Sequence, residues 1–326
     1  MDRQTDITQE QALVKLAFVI LNYNTYEETI ACIHSINDKI DTQDYKIIVV
    51  DNASTDNSLE RLKEAFSCPS GANVPTEKIE LLYNKENLGF ARGNNVGIRY
   101  VNEKYRPEFV VVLNSDTELI QRDLYSKLHR EFENSGFALL GPMILTADGR
   151  YTNSPLPIPT KEWVLRELRI LKRNRMLLYF GLLGFANCIH QIKTLISHKF
   201  RLTKELKADF SNYHRKKQVP LAGAFLVFSH EAFNHINGFN ELTFLYREEE
   251  LLYLELLRHG LTIVYTPEIC IYHQQGQATK KVKRKTKDRV LFGLKCIIDS
   301  DKILLDALES VFLERPAPHN LDLQSN

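Results

Sequence analysis

The sequence predicts an α/β fold in which helices flank a mostly parallel sheet, with a basic helical insertion and further helices at the C-terminus. Short apolar runs of strand length alternate with segments whose apolar residues recur at helical spacing. These runs are continuously apolar, which indicates strands covered on both faces, as parallel sheets are. Asn or Asp follows each of the first four runs.

The elements are expected in the following order along the chain. Strands are predicted over Leu16–Leu21, Lys46–Val50, Ile79–Tyr83, Phe109–Leu113, Phe137–Leu145, Gly223–Phe228 and Leu261–Tyr265. Helices are predicted over Thr25–Lys39, from Ser54 or Asp56 to Phe66, over Ala91–Asn102, over Leu119–Asn134, from Ser229, over Glu249–His259 and up to about Leu313.

The whole-chain composition is that of an ordinary globular protein. Of 326 residues, 44% are hydrophobic and 25% charged, with a formal net charge of +1. Five widely spaced cysteines without a CxxC pair argue against a disulfide framework or a zinc cage. The N-terminus lacks the features of a signal peptide, and the longest apolar run, Met176–Ala186, is shorter than the about 20 residues that span a bilayer. We therefore expect a cytoplasmic protein.

Two stretches are rich in Lys and Arg. Thr160–Lys217 also contains leucines at helical spacing, which is typical of an amphipathic element on a membrane surface. A helical insertion that packs on its own domain is the alternative. Lys280–Arg289 opens the C-terminal helix, and a run of like charge is usually a solvated face. Nucleic-acid binding is disfavoured because this run has no interleaved aromatic residues.

Polar residues at the strand ends predict a binding site. They are Asn22–Asn24, Asp51–Asn52, Asn84–Asn87 and Asn114–Asp116. Ligands of such sheets bind beyond the carboxyl ends of the strands, so these residues are expected on one rim. Asn and Asp also favour turns by themselves, which is the competing interpretation for any one of them.

Three short segments carry candidate catalytic chemistry. In Asn114-Ser115-Asp116, the Asp116 carboxylate could hold a divalent cation that bridges phosphates, or could cap the next helix. One acid of Glu248–Glu250 could face a cleft as a general base, although acids also favour helix N-termini for their dipole. The imidazole of His273 suits a metal or a phosphate, or a structural role.

The segment Asn87–Ile98 has three glycines, but they do not form the GxGxxG pattern and they follow the third strand rather than the first. A dinucleotide-binding Rossmann enzyme is therefore disfavoured. The segment still predicts a loop followed by a helix, where backbone N–H groups and Arg92 could bind an anion.

Taken together, these segments resemble the family 2 inverting glycosyltransferases, especially their bacterial rhamnosyltransferase-like branch. The similarity covers about residues 16–273 except 160–217, and its motifs occur in the family's order. They are VILNYN (Val19–Asn24), VVDNASTDNS (Val49–Ser58), NLGFARGNNVG (Asn87–Gly97), LNSD (Leu113–Asp116), GAFLVFSHEAFNHINGFNE (Gly223–Glu241), FLYREEELL (Phe244–Leu252) and His273.

The resemblance implies a GT-A fold: a glycosyltransferase domain over 14–275 that contains the insertion at about 160–217, and a C-terminal extension over 276–326. It also implies a nucleotide diphosphate sugar as donor, dTDP-rhamnose or a UDP-sugar. The residues that it places around the nucleotide and diphosphate are Asn22, Asp51, Asn52, Asn87, Gly89, Arg92, Asn95, Asn114 and Ser115.

For the chemistry, the resemblance implies Mg²⁺ or Mn²⁺ on Asp116 with His273 nearby, and a single in-line displacement that inverts the anomeric carbon. Glu248–Glu249 match a Glu-Asp pair, so Glu249 takes the general-base position. Two positions depart from the family: Asn114 stands where the DxD-like motif has its first Asp, and Glu249 is one methylene longer than Asp. Glu248 or Glu250 could also serve as the base, because the run is ambiguous in register.

The expected acceptor is a hydroxyl of a glycan, or of a glycan on a polyprenyl-diphosphate lipid at the membrane, in cell-surface polysaccharide synthesis. The sequence does not predict the oligomeric state. Two alternatives remain. A non-catalytic sugar-nucleotide-binding protein would lack a working base. A sugar-1-phosphate nucleotidyltransferase would need a glycine-rich basic loop after the first strand, where Asn22–Tyr26 has no glycine and no lysine.

Overall fold

The computed structural model of the chain describes residues 14–67, 75–146, 155–181, 214–274 and 287–314. Within these residues nine strands form one sheet in the order β3-β2-β1-β4-β8-β6-β9-β5, with β7 paired to β9. The strands are β1 (Leu16–Asn22), β2 (Tyr45–Asp51), β3 (Ile79–Tyr83), β4 (Phe109–Asn114), β5 (Thr117–Leu119), β6 (Leu139–Thr146), β7 (Lys216–Lys217), β8 (Phe225–Ser229) and β9 (Ile263–His273).

The described helices connect these strands and cover both faces of the sheet. They are α1 (Tyr26–Lys39), α2 (Ser58–Ser67), α3 (Gly89–Lys104), α4 (Leu124–Ser135), α5 (Lys161–Tyr179), α6 (Glu248–Arg258) and α7 (Lys287–Glu314). Short 3-10 turns lie at Thr76–Lys78 and His230–Asn234. The predicted α/β fold class is therefore confirmed.

The first half of the sheet is parallel, as the continuous apolar runs predict. Strands β3, β2, β1 and β4 run side by side in the same direction, and their register pairs Asn22 with Asp51 and Leu21 with Asn114. The carboxyl ends of β1, β2 and β4 therefore lie at one rim. The second half is mixed rather than parallel, because β8 is antiparallel to both β4 and β6.

Two predicted helices differ from the structure. Leu119 belongs to the short strand β5, which pairs antiparallel with β9, and α4 begins only at Leu124. The helix expected from Ser229 is the 3-10 turn His230–Asn234. At Leu119 a pairing between distant segments decides the local structure, and helical periodicity in the sequence does not report such a pairing.

Helices α5 and α7 belong to the same hydrophobic core as one face of the sheet. Val164 and Leu168 of α5, and Leu294 and Ile298 of α7, are buried in one cluster with the residues of β1 and β4 that face them. The first part of the 160–217 stretch thus packs on the domain, while its Lys and Arg side chains point outward. Most of the rest of that stretch, 182–213, and the residues 280–286 lie outside the described residues.

On the same face α3 packs closely against β1. A Cβ added to Gly97 would lie 2.4 Å from Cγ1 of Val19 and 3.1 Å from Cγ2 of Val50. A glycine here allows the helix to approach the strands. Among the described helices none is long and apolar enough to cross a membrane.

Candidate active site

The ends of β1 and β2 are joined by a buried network around Asp51. Its carboxylate accepts hydrogen bonds from Asn22 Nδ2 at 2.7 Å, from Ser54 Oγ at 2.6 Å and from Ser54 N at 3.0 Å. Asn22 Oδ1 in turn accepts from the hydroxyls of Thr25 and Thr29. Both Asn22 and Asp51 are fully buried. These residues fix the two loops that form one wall of the rim.

Asn52 joins this wall to the loop that precedes α3. Its Nδ2 donates to Asn87 Oδ1 and to the carbonyl of Gly89, both at 3.0 Å, and its Oδ1 accepts from Asn84 Nδ2 and Leu88 N. Asn87 Oδ1 also accepts from the N–H of Gly89. The predicted donor-binding residues Asn52, Asn87 and Gly89 are therefore together at the rim.

Gly89 occupies a position that requires glycine. Its φ of +79° lies in the left-handed region, and an added Cβ would lie 2.2 Å from the carbonyl oxygen of Phe244. The next residue, Phe90, donates its N–H to that same oxygen at 3.0 Å. The N-terminus of α3 is thereby held against the segment that precedes α6.

Arg92 and Asn95 support this segment from α3. The Asn95 amide donates to the carbonyl of Phe239 at 2.8 Å and to Glu241 Oε1 at 3.0 Å, and it accepts from Phe239 N. Arg92 Nε donates to the carbonyl of Glu241 at 2.9 Å. Asn95 is buried, while Arg92 is exposed. Arg92 remains a candidate for anion binding, whereas both polar atoms of the Asn95 amide are engaged within the protein.

The end of β4 carries the Asn114-Ser115-Asp116 segment. Ser115 Oγ lies 2.9 Å from Thr25 Oγ1, which links it to the Asn22 network. Asp116 Oδ1 lies 3.0 Å from His273 Nε2, and these side chains are 13% and 15% exposed. The pairing of β5 with β9, which sets Thr117 opposite His273, creates this contact. Asp116 does not cap α4, because Asp123 is the residue before that helix.

Glu249 is the acid of the three-glutamate run that reaches this rim. Its Oε1 accepts the N–H of Gly223 at 3.2 Å, and an added Cβ on Gly223 would lie 2.8 Å from that oxygen. The neighbouring Ala224 accepts the N–H of Asn114 at 3.0 Å. Glu249 is half-buried, whereas Glu248 and Glu250 are only 4% and 1% exposed. Of the three glutamates, Glu249 is thus the one whose side chain is partly exposed.

These contacts bring the predicted residues of the strand ends, the Asp116–His273 pair and Glu249 to a single rim. An unbroken series of contacts leads from Asp51 to Asn22, through Thr25 and Ser115 to the end of β4, and from there to Asp116, His273 and Glu249. Sequence reasoning missed Gly223 and Ser54 as contacts of the two carboxylates. Gly223 is the first residue of the motif Gly223–Glu241, so the sequence did contain a signal for it.

Asp116 and His273 offer one carboxylate and one imidazole to a cation. Among the described residues no three His, Cys, Asp or Glu side chains gather as a metal cage. Mg²⁺ in phosphate-binding sites is typically held by one or two carboxylates together with phosphate oxygens and water. The pair therefore fits a cation that is bound jointly with a diphosphate.

Comparison with known proteins places the sequence in one family. The profile of the family described as "Glycosyl transferase family 2" matches residues 17–190, just over half of the 326-residue chain. Low-salt glycan biosynthesis hexosyltransferase Agl10 of Haloferax volcanii is 25% identical over 268 residues, 82% of this chain and 69% of its own. Rhamnosyltransferase WbbL of Escherichia coli is 24% identical over 236 residues, 72% of this chain and 74% of its own.

Among solved structures, the crystal structure of GalNAc-T7 with UDP, GalNAc and Mn²⁺ superposes with a TM-score of 0.50 at 12% identity. The match covers 81% of this chain and 44% of that one. At this level of identity the likeness concerns the fold. The likeness agrees with the predicted architecture.

Proposed function

This chain belongs to glycosyl transferase family 2, and we propose that it transfers a sugar from a nucleotide diphosphate donor to an acceptor hydroxyl with inversion at the anomeric carbon. The observation that carries the proposal is the position of Glu249. It accepts a hydrogen bond from the N–H of Gly223. The next residue, Ala224, accepts a hydrogen bond from Asn114 at the end of β4, the strand that precedes Asp116. A half-buried carboxylate therefore lies at the same rim as the candidate cation-binding pair, Asp116 and His273.

Donor binding is assigned to the wall formed by the ends of β1 and β2 and the loop before α3. Asn22, Asp51 and Asn52 brace that wall from within, and the backbone around Asn87 and Gly89 is held in one conformation by Asn52. A rigid wall favours binding because little conformational entropy is lost. We propose dTDP-rhamnose or a UDP-sugar as donor. Agl10 and WbbL are named as a hexosyltransferase and a rhamnosyltransferase, which supports a hexose-type sugar.

We assign Mg²⁺ or Mn²⁺ to Asp116 and His273. When bound, such a cation supplies positive charge that stabilises the departing diphosphate. Asp116 is held at the strand end by the hydrogen bond from Gln274 N to its carbonyl, and His273 is fixed by the β5–β9 pairing. Asp116 and His273 are thus already positioned to hold a cation, and binding would require little reorganisation of the site.

The transfer itself needs one proton acceptor. The acceptor oxygen forms a bond to the anomeric carbon, the bond from that carbon to the phosphate oxygen breaks, and the hydroxyl proton passes to Glu249. The hydrogen bond from Gly223 N orients this carboxylate toward the rim. A single displacement of this kind requires no covalent enzyme intermediate.

For the acceptor we propose a glycan carried on a polyprenyl diphosphate at an anionic membrane surface. Exposed apolar side chains lie at the end of α5 and on α7, namely Met176, Tyr179, Phe180 and Phe292. Lys287 Nζ donates to the carbonyl of Tyr179, which joins the two helices. Exposed cations interleave with these apolar residues: Lys172, Arg173, Arg175 and Arg289.

This surface leads to the active site. The ring of Phe292 contacts that of Phe244 at 5.7 Å between centroids, and the carbonyl of Phe244 accepts a hydrogen bond from Phe90 at the start of α3. Basic residues near an anionic leaflet contribute about 1 kcal/mol each to binding. The protein should co-sediment with phosphatidylglycerol vesicles at low salt, and less of it should co-sediment with phosphatidylcholine vesicles. A Tyr179→Ser/Phe180→Ser variant should bind more weakly, and Ile120→Ser, another exposed apolar residue, should not. Equal recovery with both lipids would contradict the proposal.

The enzymatic proposal is tested with a panel of nucleotide sugars, Mg²⁺ or Mn²⁺, and scoring of nucleoside diphosphate release. Glu249→Gln should retain donor binding and lose turnover, since the amide cannot accept the proton. Asp116→Asn should weaken Mn²⁺ binding in the presence of the nucleoside diphosphate, measured by calorimetry without any turnover. Donor binding without release of nucleoside diphosphate for any donor and acceptor would favour the non-catalytic alternative.

A further inference from the structure

A buried arginine stands next to the helix that carries Glu249. Arg247 immediately precedes α6 and is 4% exposed. Its Nε donates to Asp301 Oδ1 at 2.6 Å, its Nη2 lies 2.7 Å from Glu167 Oε2, and its Nη1 lies 3.3 Å from Glu250 Oε1. The guanidinium also lies over the ring of Trp163, 4.6 Å from its centroid.

These partners come from three separate helices. Glu167 and Trp163 belong to α5, Asp301 to α7, and Glu250 to α6 itself. A second hydrogen bond acts beside the arginine, since Ser300 Oγ of α7 donates to the carbonyl of Leu245 at 2.9 Å. One side chain therefore connects the insertion helix and the C-terminal helix to the start of the helix that carries the base.

The backbone at this point is itself unusual. Tyr246 and Arg247 both have positive φ, +78° and +71°, two consecutive non-glycine residues in the left-handed region. Such conformations persist only where the surroundings over-determine them. The four contacts of the arginine provide this constraint, and Glu249 lies two residues further along the chain.

Hydrophobic packing would be a simpler way to hold three helices together. Buried ion pairs are often less favourable than apolar residues of the same volume, because the charges lose their hydration. The fork of an arginine, in contrast, fixes several partners in direction as well as in distance. The cluster is thus suited to setting geometry rather than to adding stability.

We propose that Arg247 is a positioning residue, and that the contacts of α5 and α7 with it, through Glu167 and Asp301, set the location of Glu249 at the rim. This rests on the proposed role of Glu249 as the general base. In this arrangement the insertion and the C-terminal helix are part of the catalytic apparatus although neither contributes the base.

The test uses two substitutions at Asp301 in the full-length protein. Asp301→Asn keeps an oxygen that accepts from Arg247 Nε, whereas Asp301→Leu fills similar space and removes it. We expect Asp301→Leu to lower kcat roughly 10-fold to 100-fold with unchanged KM for the donor, because small displacements of a reacting group cost that much. Asp301→Asn should stay near the parent enzyme.

Arg258→Met is the matched control. Arg258 lies on the same helix and pairs with Glu255 at 3.0 Å, but it is exposed and remote from the cluster. It should leave kcat and KM unchanged. Arg247→Lys keeps the charge without the fork and should reproduce the kcat loss of Asp301→Leu, which provides a second route should the leucine variant not fold.

Hydrogen exchange gives a readout that needs no substrate. Amides of residues 245–252 should exchange faster in Asp301→Leu than in Asp301→Asn. Equal exchange and equal kcat in the two variants would overturn the positioning role, as would a parallel loss of kcat and nucleotide affinity. Faster exchange in Asp301→Leu together with a fully active Glu249→Gln enzyme would instead show that Glu249 is not the general base, while the effect of Arg247 on the start of α6 would stand.

Discussion

The buried cluster around Arg247 makes the stability of this protein depend on pH in a direction opposite to that of most carboxylates. Burial raises the pKa of Asp301 from an ordinary 3.8 to about 6, with Arg247 acting against the shift and Glu167 and Glu250 adding to it. The carboxyl is fully buried. A raised pKa in the fold contributes stability that is present below about 3.8 and is lost as pH rises through about 6.

The size of this effect follows from the two pKa values. The full difference corresponds to roughly 3 kcal/mol, and between about pH 5 and pH 7 linkage predicts a loss of roughly 1 kcal/mol from Asp301 alone. Asp301→Asn removes the titrating group and keeps the oxygen that accepts from Arg247. The variant should therefore gain stability relative to the parent protein by that amount as pH rises across this interval.

Chemical unfolding at several pH values within this interval measures the difference between the two proteins. The matched control is Asp299→Asn on the same helix. Lys295 and Lys302 lower the pKa of the exposed Asp299, so its contribution is lost only as pH falls below its ordinary 3.8. Its difference from the parent should be constant over the interval. A constant difference for Asp301→Asn as well would show that Asp301 is ionised throughout, and would refute the reasoning.

Three further predictions concern the rim. Glu249→Gln should lower kcat by about 10²–10⁴-fold, the usual contribution of a general base, while Glu255→Gln on the exposed side of α6 should have no effect; comparable losses in both would argue against the assignment. Gly223→Ala should lower kcat about 10-fold without weakening donor binding, because the added Cβ would displace Glu249 Oε1. An unchanged kcat would show that the carboxylate need not lie at Gly223. Asn52→Ala should destabilise the fold by about 1–3 kcal/mol in chemical unfolding, because it leaves buried polar groups unsatisfied, and a neutral result would contradict the bracing role of Asn52.

The sequence was informative wherever a property depends on neighbouring residues. Continuous apolar runs mark the four parallel strands, and the polar residues after them mark the rim. The sequence alone therefore places Asn22, Asp51 and Asp116 close together, as the strand pairing does. Parallel strands align their carboxyl ends, and this regularity makes the inference possible. The common position of these strand-end residues was predictable for the same reason as the fold.

The sequence was uninformative wherever a contact joins distant segments of unrelated appearance. The sequence alone does not distinguish Glu249 from its two neighbours, whereas the structure places Glu249 against Gly223. Strand β5 exists because it pairs with β9, about 150 residues later by the register of the pair. Arg247 and Asp301 are separated by 54 residues, and no periodicity connects a lone arginine to an acid in an apolar helix.

The structure also separates residues that hold the rim from residues that can act at it. The side chains of Asn22, Asp51 and Asn52 are buried, and their polar atoms bond to one another, to threonines and serines, or to the loop before α3. Asp116, His273 and Glu249 are in contrast only partly buried at the same rim. A carboxylate that is already surrounded by fixed donors keeps its position when a ligand arrives, whereas one with an open side can take a cation or a proton. In the proposed function the strand-end amides therefore hold the rim, and the chemistry is assigned to the partly exposed acids and the histidine, with Glu249 placed in turn by the helices packed behind α6.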